Sequence, residues 1–305
     1  MIRVSTIIPT YNSEATLAQA IDSALAQDFA GQEIIVVNDG STDSTQRVLE
    51  SYGTRVSVIQ QDNRGQPTAR NRAIEKAAGE YLAFLDSDDV WLPGRLAKTV
   101  AALERKPNAA LVFSDYVRVD QAGVVDRSSS VPAALAHAPS MDEILTHWWP
   151  IAPTTVTMPR SIWRRCGGFH PEATGFEDIH FFILARECGE FEFLAEPLAR
   201  FRSSNPELGP DKWNPKVFLR LIQERYGERA RGLIGEVRAS YAGAFASKAL
   251  RAMEQGKRKE AARCWLKVIH YDPLYAFRLA HVGRLFRGRN VRRLAQMLWP
   301  MRESE

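Results

Sequence analysis

Cysteine is scarce and scattered. Cys166, Cys188 and Cys264 are the whole complement, far apart and without a CxxC pair. That argues against structural zinc and against a disulfide framework, and for buried thiols in a reducing compartment. Long apolar runs are also missing. The longest stretch without charge, Ile144–Pro159, contains Pro150, Pro153, Pro159 and His147, so it cannot form a spanning helix. The first apolar stretch, IRVSTIIP, carries Arg3 and breaks at Pro9, too early for the core of a secretory signal. The expectation is a cytoplasmic protein, at most peripheral at the inner face of the membrane. Acidic residues run short at one end only. Residues 229–305 carry 17 Lys and Arg against 6 Asp and Glu, a net of +11, whereas residues 1–228 carry 23 against 30, a net of −7. An acidic body with a basic tail suggests two jobs, one of them at an anionic surface. The remaining composition, 45% hydrophobic and 25% charged over 305 residues, excludes a disordered chain and leaves ample apolar material for one or two domains.

What is present is a regular alternation of two periods. Val4–Pro9 predicts a short buried strand, with Asn12 and Ser13 as cap candidates for a helix running to about Gln27. Leu17, Ala20, Ile21, Ala24 and Leu25 share one face of that helix. Glu33–Val37 predicts a second strand, and the turn Asp39–Asp43 opens a second helix with Ser41 or Thr42 as cap. Val56–Gln60 and Tyr81–Leu85 predict two more strands, separated by a helix across Pro67–Ala78. A helix over Pro93–Arg105 starts with proline in its first turn, where the missing N–H is harmless. This order predicts an α/β fold: a mostly parallel, Rossmann-like sheet with helices on both faces. Right-handed crossovers put every parallel strand's C-terminal end at one edge, where ligands of open α/β sheets bind. Pro9, Thr10, Tyr11, Asn12, Asp39 and the run Asp86-Ser87-Asp88-Asp89 all fall there.

Further on, strands are predicted near Leu111–Val119, Thr154–Met158 and Phe191–Glu196, a polar loop over Gly123–Ser140, and a helix over Ile179–Cys188 ended by Gly189. A segment with three prolines after Arg202 marks a boundary, giving a domain at 1–204 and a basic helical region at 205–305. Within the latter, Ala242–Pro273 resembles one tetratricopeptide-type hairpin through Ala249, Gly256, Ala261, Trp265 and Pro273. A single repeat cannot bury its own faces, so the pair is expected to dock on the first domain.

Four features carry chemistry, each with a plainer alternative. Clustered carboxylates at Asp86, Asp88 and Asp89 repel one another unless a hard divalent cation or a ribose hydroxyl uses them, and oxygen ligands select Mg²⁺ or Mn²⁺ over zinc. The same residues could be a solvated turn capping the next helix. Asp39 can accept the N–H of a uracil or thymine base, or tie its own backbone two residues on. Arg70 can pair with a diphosphate bidentately, or be an exposed helical arginine. Glu177 and Asp178 open a helix, where they present two carboxylates or merely complement its dipole.

The ordered set STIIPTYN, EIIVVNDGSTDST, NRGQPTARNRAI, GEYLAFLDSDDVW, RRCGGFHPE and GFEDIHFFILARECGEFEFLAEPLARFR resembles the family 2 inverting glycosyltransferases, of nucleotide-diphosphosugar transferase A-type fold. It covers about residues 2–204. The resemblance implies a metal-dependent enzyme that moves one sugar from a nucleotide-diphosphosugar, with UDP-sugar as donor, to a hydroxyl of a saccharide or lipid-linked acceptor in polysaccharide or glycolipid synthesis. It implies that Pro9, Thr10, Tyr11 and Asn12 wall the base, that Glu14 lines the site and that Asp39 holds the base, with Gly65 and Arg70 also on the donor. Asp86, Ser87 and Asp88 would hold ribose and metal (Mn²⁺ or Mg²⁺), Asp88 as main ligand; Asp178 would be the general base, with Glu177 beside it. No QxxRW element of the processive synthases follows the acidic pair, which implies one sugar per binding event.

Lesser candidates remain. Trp148-Trp149-Pro150 can form a sugar platform or core, and His170 and His180 are expected as satisfied or exposed histidines rather than metal ligands. A nucleotidyltransferase is disfavoured because PTYNSEATL, after the first strand, lacks the Gly-rich basic loop of that class. A non-catalytic nucleotide-sugar-binding protein is the other alternative. Nucleic acid is not expected as a partner, since no matching motif appears. Arg278–Arg302 carries seven arginines, no acid and two apolar stripes ending near Trp299. It is expected either to lie on an anionic membrane or to dock on the first domain.

Overall fold

The computed structural model describes residues 2–120, 122–127, 137–147, 151–202 and 215–273. The strands are β1 (Val4–Thr10), β2 (Gln32–Asp39), β3 (Ser57–Gln61), β4 (Tyr81–Phe84), β5 (Val90–Trp91), β6 (Ala109–Val119), β7 (Val125–Arg127), β8 (Thr157–Pro159) and β9 (Glu190–Arg202). They form one sheet in the order β3-β2-β1-β4-β8-β6-β9-β5, with β7 paired to β6. The first four are parallel. Every residue of β1 and β4 is buried, the signature of strands covered on both faces. Chain order reverses between β1 and β4, so the crevice at their C-terminal ends is a topological switch point.

The other half of the sheet is mixed. β8 runs antiparallel to β4 and β6, β5 antiparallel to β9, and β7 antiparallel to β6, while β6 and β9 are parallel. The expected strand Thr154–Met158 is split: Pro153–Thr155 forms a 3-10 turn and only Thr157–Pro159 joins the sheet. β9 runs 13 residues, well past the expected Glu196. Its Pro197 sits beside a register shift opposite Asp115, the kind of position where a strand tolerates the missing donor.

Helices α1 (Leu17–Leu25), α2 (Thr45–Glu50), α3 (Gln66–Lys76), α4 (Arg95–Arg105), α5 (Met141–Thr146), α6 (Arg160–Cys166), α7 (Glu177–Cys188) and α8 (Pro215–Tyr226) surround the sheet. α1 buries Leu17, Ala20, Ile21 and Ala24, and α4 buries Leu96, Val100 and Leu103, in one cluster with Val4, Ile8, Val36 and Ala83. Each leucine, isoleucine and valine among them contributes about 1.5–3 kcal/mol by leaving water, and each alanine less. Three helix starts differ from expectation. α1 begins after Thr16 and α2 after Ser44, because Asn12, Ser41 and Thr42 bond to one another instead of capping. α4 begins at Arg95, after Gly94 takes a left-handed φ of 76°.

The described residues divide into two compact units, the first through Leu233 and the second from Ile234. α8, beyond the expected boundary at 204, belongs to the first unit: its Phe218 stacks on Phe176 at 5.3 Å. The second unit is a hairpin of α9 (Arg231–Glu254, entering from the first unit) and α10 (Arg258–Tyr271), turned at the left-handed Gly256. Ala249, Ala261 and Trp265 are buried there, and Tyr241 packs edge-on against Phe245 and Tyr271 at 5.0 and 4.6 Å. Among the described residues no helix is long and apolar enough to cross a membrane.

Candidate active site

Three loops meet at the C-terminal edge of the parallel strands. After Pro9 and Thr10, both buried in β1, the chain exposes Tyr11 and puts Asn12 in the left-handed region at φ 50°. The Asn12 N–H donates to Ser41 Oγ at 3.0 Å, and Asn12 Oδ1 accepts from the Thr42 N–H at 2.8 Å. Glu14 does the same further on, its Oε2 accepting from the Ser44 N–H at 2.7 Å. The hydroxyls of Ser13 and Ser87 lie 2.8 Å apart and join the loop after β1 to the acidic turn after β4. Asp39 is buried, and its carboxylate accepts from Gln61 Nε2 (2.6 Å) and from the Arg64 and Gly65 N–H groups (2.8 Å each). It therefore ties down the loop before α3 rather than its own backbone two residues on.

Arg70 is neither an exposed helical arginine nor an unpaired cation awaiting a diphosphate. Only 2% of it is exposed. Its Nη2 donates to Asp86 Oδ1 at 2.6 Å, and its Nη1 stands 3.6 Å from Glu177 Oε1. Burial alone would disfavour its charge, but Asp86, Glu177 and Asp178 together hold the guanidinium above its ordinary ionisation range. One arginine thus joins the end of β4 to the start of α7. Next to it Asn71 grips the segment leading to α7: Oδ1 accepts from the Phe169 N–H (2.9 Å) and Nδ2 donates to the Phe169 carbonyl (2.8 Å). Gly168 makes room for this grip, since at φ +84° an added Cβ would stand 2.8 Å from Asn71 Oδ1.

The carboxylates left over are costly to ionise. Asp88, partly buried, is pushed up to about 6 by burial and by the charge of Asp86. Asp178 is pushed up to about 7 by burial and by Glu177, against the pull of Arg70. Asp89 is buried, is raised well above the usual range by burial and by Asp88, and accepts from the Arg202 N–H at 2.8 Å. Arg202 Nε also donates to the Asp88 carbonyl at 2.9 Å, so the end of β9 braces the acidic turn. At the start of α7, Glu177 Oε2 accepts from the Gly175 N–H (2.6 Å) and Asp178 Oδ1 from the Ile179 N–H (2.8 Å). His170 and His180 pack edge to face at 5.9 Å; burial pushes His180 down to about 4, leaving it neutral at pH 7. Among the described residues no three metal-ligating side chains converge. Trp148-Trp149-Pro150 and residues 278–302 lie outside the described residues.

Hydrogen bonds and ion pairs at this edge thus link the end of β1, the end of β2, the start of α3, the acidic turn after β4 and the start of α7. Residues 5–167 match the sequence model of Glycosyl transferase family 2. The chain belongs to this family. The chain is 30% identical over 217 residues to the putative teichuronic acid biosynthesis glycosyltransferase TuaG of Bacillus subtilis, a match covering 69% of this chain and 82% of that one. It is 40% identical over 119 residues to an uncharacterized glycosyltransferase of Rickettsia typhi, covering 39% of this chain but only 37% of the relative. It is 34% identical to the UDP-Glc:alpha-D-GlcNAc-diphosphoundecaprenol beta-1,3-glucosyltransferase WfgD of Escherichia coli, over 41% of this chain and 49% of that one. The first 349 residues of S. aureus TarS, in complex with UDP-GlcNAc, superpose with a TM-score of 0.60 at 20% identity, over 93% of this chain and 88% of that one. This likeness carries the fold, a glycosyltransferase A-type sheet.

Asn71 and Arg202 are the parts of the site to which the sequence pattern assigned no role; Asp89, counted there among the clustered carboxylates, instead accepts from the Arg202 N–H. Asn71 had a signal, as the direct neighbour of Arg70; Arg202, ending a strand 114 residues from Asp88, had none.

Proposed function

We propose that this transferase moves one sugar, with inversion, from a UDP-sugar to a hydroxyl of a saccharide or lipid-linked acceptor during synthesis of a cell-surface polysaccharide or glycolipid. One observation carries the reading: Arg70 binds the donor-side turn (Asp86) and the acidic pair (Glu177) into one buried ionic cluster. That link supports the reading, because inverting transfer needs a base held close to the donor. Relatives support the donor and setting. TuaG is named for teichuronic acid biosynthesis, and WfgD for a UDP-Glc donor and a diphosphoundecaprenol-linked acceptor.

In this reading the base rests against Pro9–Asn12 and Asp39. Asp178 takes the proton of the attacking hydroxyl, and an ionisation near 7 suits a general base at neutral pH. Glu177 holds Arg70 and the Gly175 N–H, and so positions the helix start. A hard divalent cation, Mn²⁺ or Mg²⁺, would be held chiefly through Asp88, an oxygen donor whose charge is opposed by burial and by Asp86. Asp86 is the second candidate, already engaged by Arg70 and by Gln66 Nε2 at 3.0 Å. Such a cation, when bound, would neutralise charge developing on the leaving diphosphate. The basic segment 278–302 is proposed to bring the enzyme to an anionic membrane surface at the inner face.

The test is UDP and UDP-sugar binding by calorimetry with Mn²⁺, Mg²⁺ or excess chelator, on the parent and on Asp88→Ala. Metal-dependent binding lost in the variant supports the reading; equal binding in chelator overturns the metal assignment. With a donor found, Asp178→Asn is expected to cut turnover about 10²–10⁴-fold with donor affinity kept. A larger loss in Glu177→Gln would exchange the two roles.

A further inference from the structure

Cys166 closes α6 and Cys188 closes α7. Far apart in sequence and expected as buried thiols, they are partly exposed neighbours: their sulfurs stand 3.8 Å apart, whereas Cys264 is buried. A disulfide needs its sulfurs about 2.0 Å apart, so the two must close by about 1.8 Å. Cys188 lines an open groove with Pro159, Ile162, Arg165 and Arg186, which admits a small reagent. Arg165, whose Nη1 donates to the Cys188 carbonyl at 3.3 Å, places a cation beside the pair, while burial and the neighbouring thiol push the Cys166 thiol up. The two sulfurs enclose the segment that ends in Glu177 and Asp178.

We propose that Cys166 and Cys188 are an oxidative modification site, which takes an intramolecular disulfide by exchange with a low-molecular-weight disulfide such as glutathione disulfide. One cysteine thiolate attacks the reagent's S–S bond and releases one small thiol. The second cysteine attacks the protein sulfur of that mixed disulfide and releases the other. Two electrons pass from the cysteine pair to the reagent, and the two thiol protons end on the two small thiols. The bond closes a loop between positions 22 residues apart, so it staples the segment that presents the acidic pair.

The experiment is incubation of the full chain with excess glutathione disulfide, followed by thiol titration, intact mass, peptide mapping and thermal melting. Expected are a fall from three thiols to one, loss of two hydrogens in mass, a linked Cys166–Cys188 peptide and a melting temperature higher by roughly 5 °C or more. Cys166→Ser and Cys188→Ser each abolish the change, and Cys264→Ala leaves it. Three free thiols after incubation, stable glutathione adducts in place of a bond, or a bond that includes Cys264 would overturn the proposal. All readouts are independent of nucleotide binding, so they fail or succeed separately from the donor reading.

Discussion

Two arginines lie entirely inside the first unit, and their surroundings differ in kind. Arg70, on α3, faces Asp86, Glu177 and Asp178, which raise its ionisation. Arg95, at the start of α4, has no carboxylate partner among the described residues. Its Nη1 donates to Thr157 Oγ1 (3.1 Å), its Nη2 to the Val156 carbonyl (2.8 Å), and its guanidinium lies 4.0 Å from the centre of the Trp91 ring. Burial lowers its ionisation. The contrast teaches how to read a buried cation. Surrounded by acids from the ends of separate elements, it marks the place where those elements must meet; surrounded by neutral acceptors and an aromatic face, it braces one helix against the strands beside it.

The largest effect that would sharpen this contrast is expected from Arg70→Met. It leaves Asp86, Glu177 and Asp178 without their cation, a loss of about 3–5 kcal/mol at neutral pH in denaturant unfolding. The loss shrinks toward pH 4 as Asp178, pushed up to about 7, protonates. An equal loss at pH 4 and pH 8 would assign the arginine to packing on Phe169, 5.5 Å from its guanidinium, and break the comparison.

A smaller effect of opposite sign is expected from Asp178→Asn. The folded ionisation, near 7, lies above the unfolded value of about 3.9. Stability linked to this group is therefore complete below about pH 4 and is lost as pH rises through about 7. The asparagine variant should gain about 1–2 kcal/mol at pH 8, discounted for partial solvent access, and nothing at pH 4. Melting curves at the two pH values check this; a gain at pH 4 contradicts it. Activity runs the other way, since a base must be ionised, and turnover of the parent should climb as pH passes through about 7.

The smallest effect is expected from Arg95→Met, which gives up two hydrogen bonds but relieves a desolvated charge of comparable volume. Unfolding free energy should stay within about 1 kcal/mol of the parent between pH 5 and 8. A loss matching that of Arg70→Met would erase the distinction between the two sites.

The parallel half of the sheet was legible because β1, β2 and β4 are short, largely apolar and largely buried runs, and the edge loops followed from counting to the end of each run. The mixed half was not. β8 contributes three residues after a 3-10 turn, and β9 alternates burial irregularly around Pro197. The places of Asp39, Asp86, Asp88 and the Glu177-Asp178 pair at strand and helix ends followed from pattern, while the roles proposed for them came with the family resemblance. The burial of Arg70 was not, because helical spacing on α3 says nothing about an acid 107 positions later in the chain. The Asn71 grip on Phe169 spans 98 positions and escapes local pattern for the same reason.

If Asp39 holds the base, as proposed, its bonding carries a consequence for re-engineering the choice of nucleobase. A carboxylate offers about four acceptor sites, and three are taken by Gln61, Arg64 and Gly65. A base that docks here would share its recognition group with the backbone of the adjacent loop. Exchanging Asp39 for asparagine puts an amide donor against N–H groups that already point at it, so the loop shifts together with the hydrogen-bonding code. A switch of base preference at this position is therefore a two-segment redesign, in which residues 61–65 and position 39 have to change in concert.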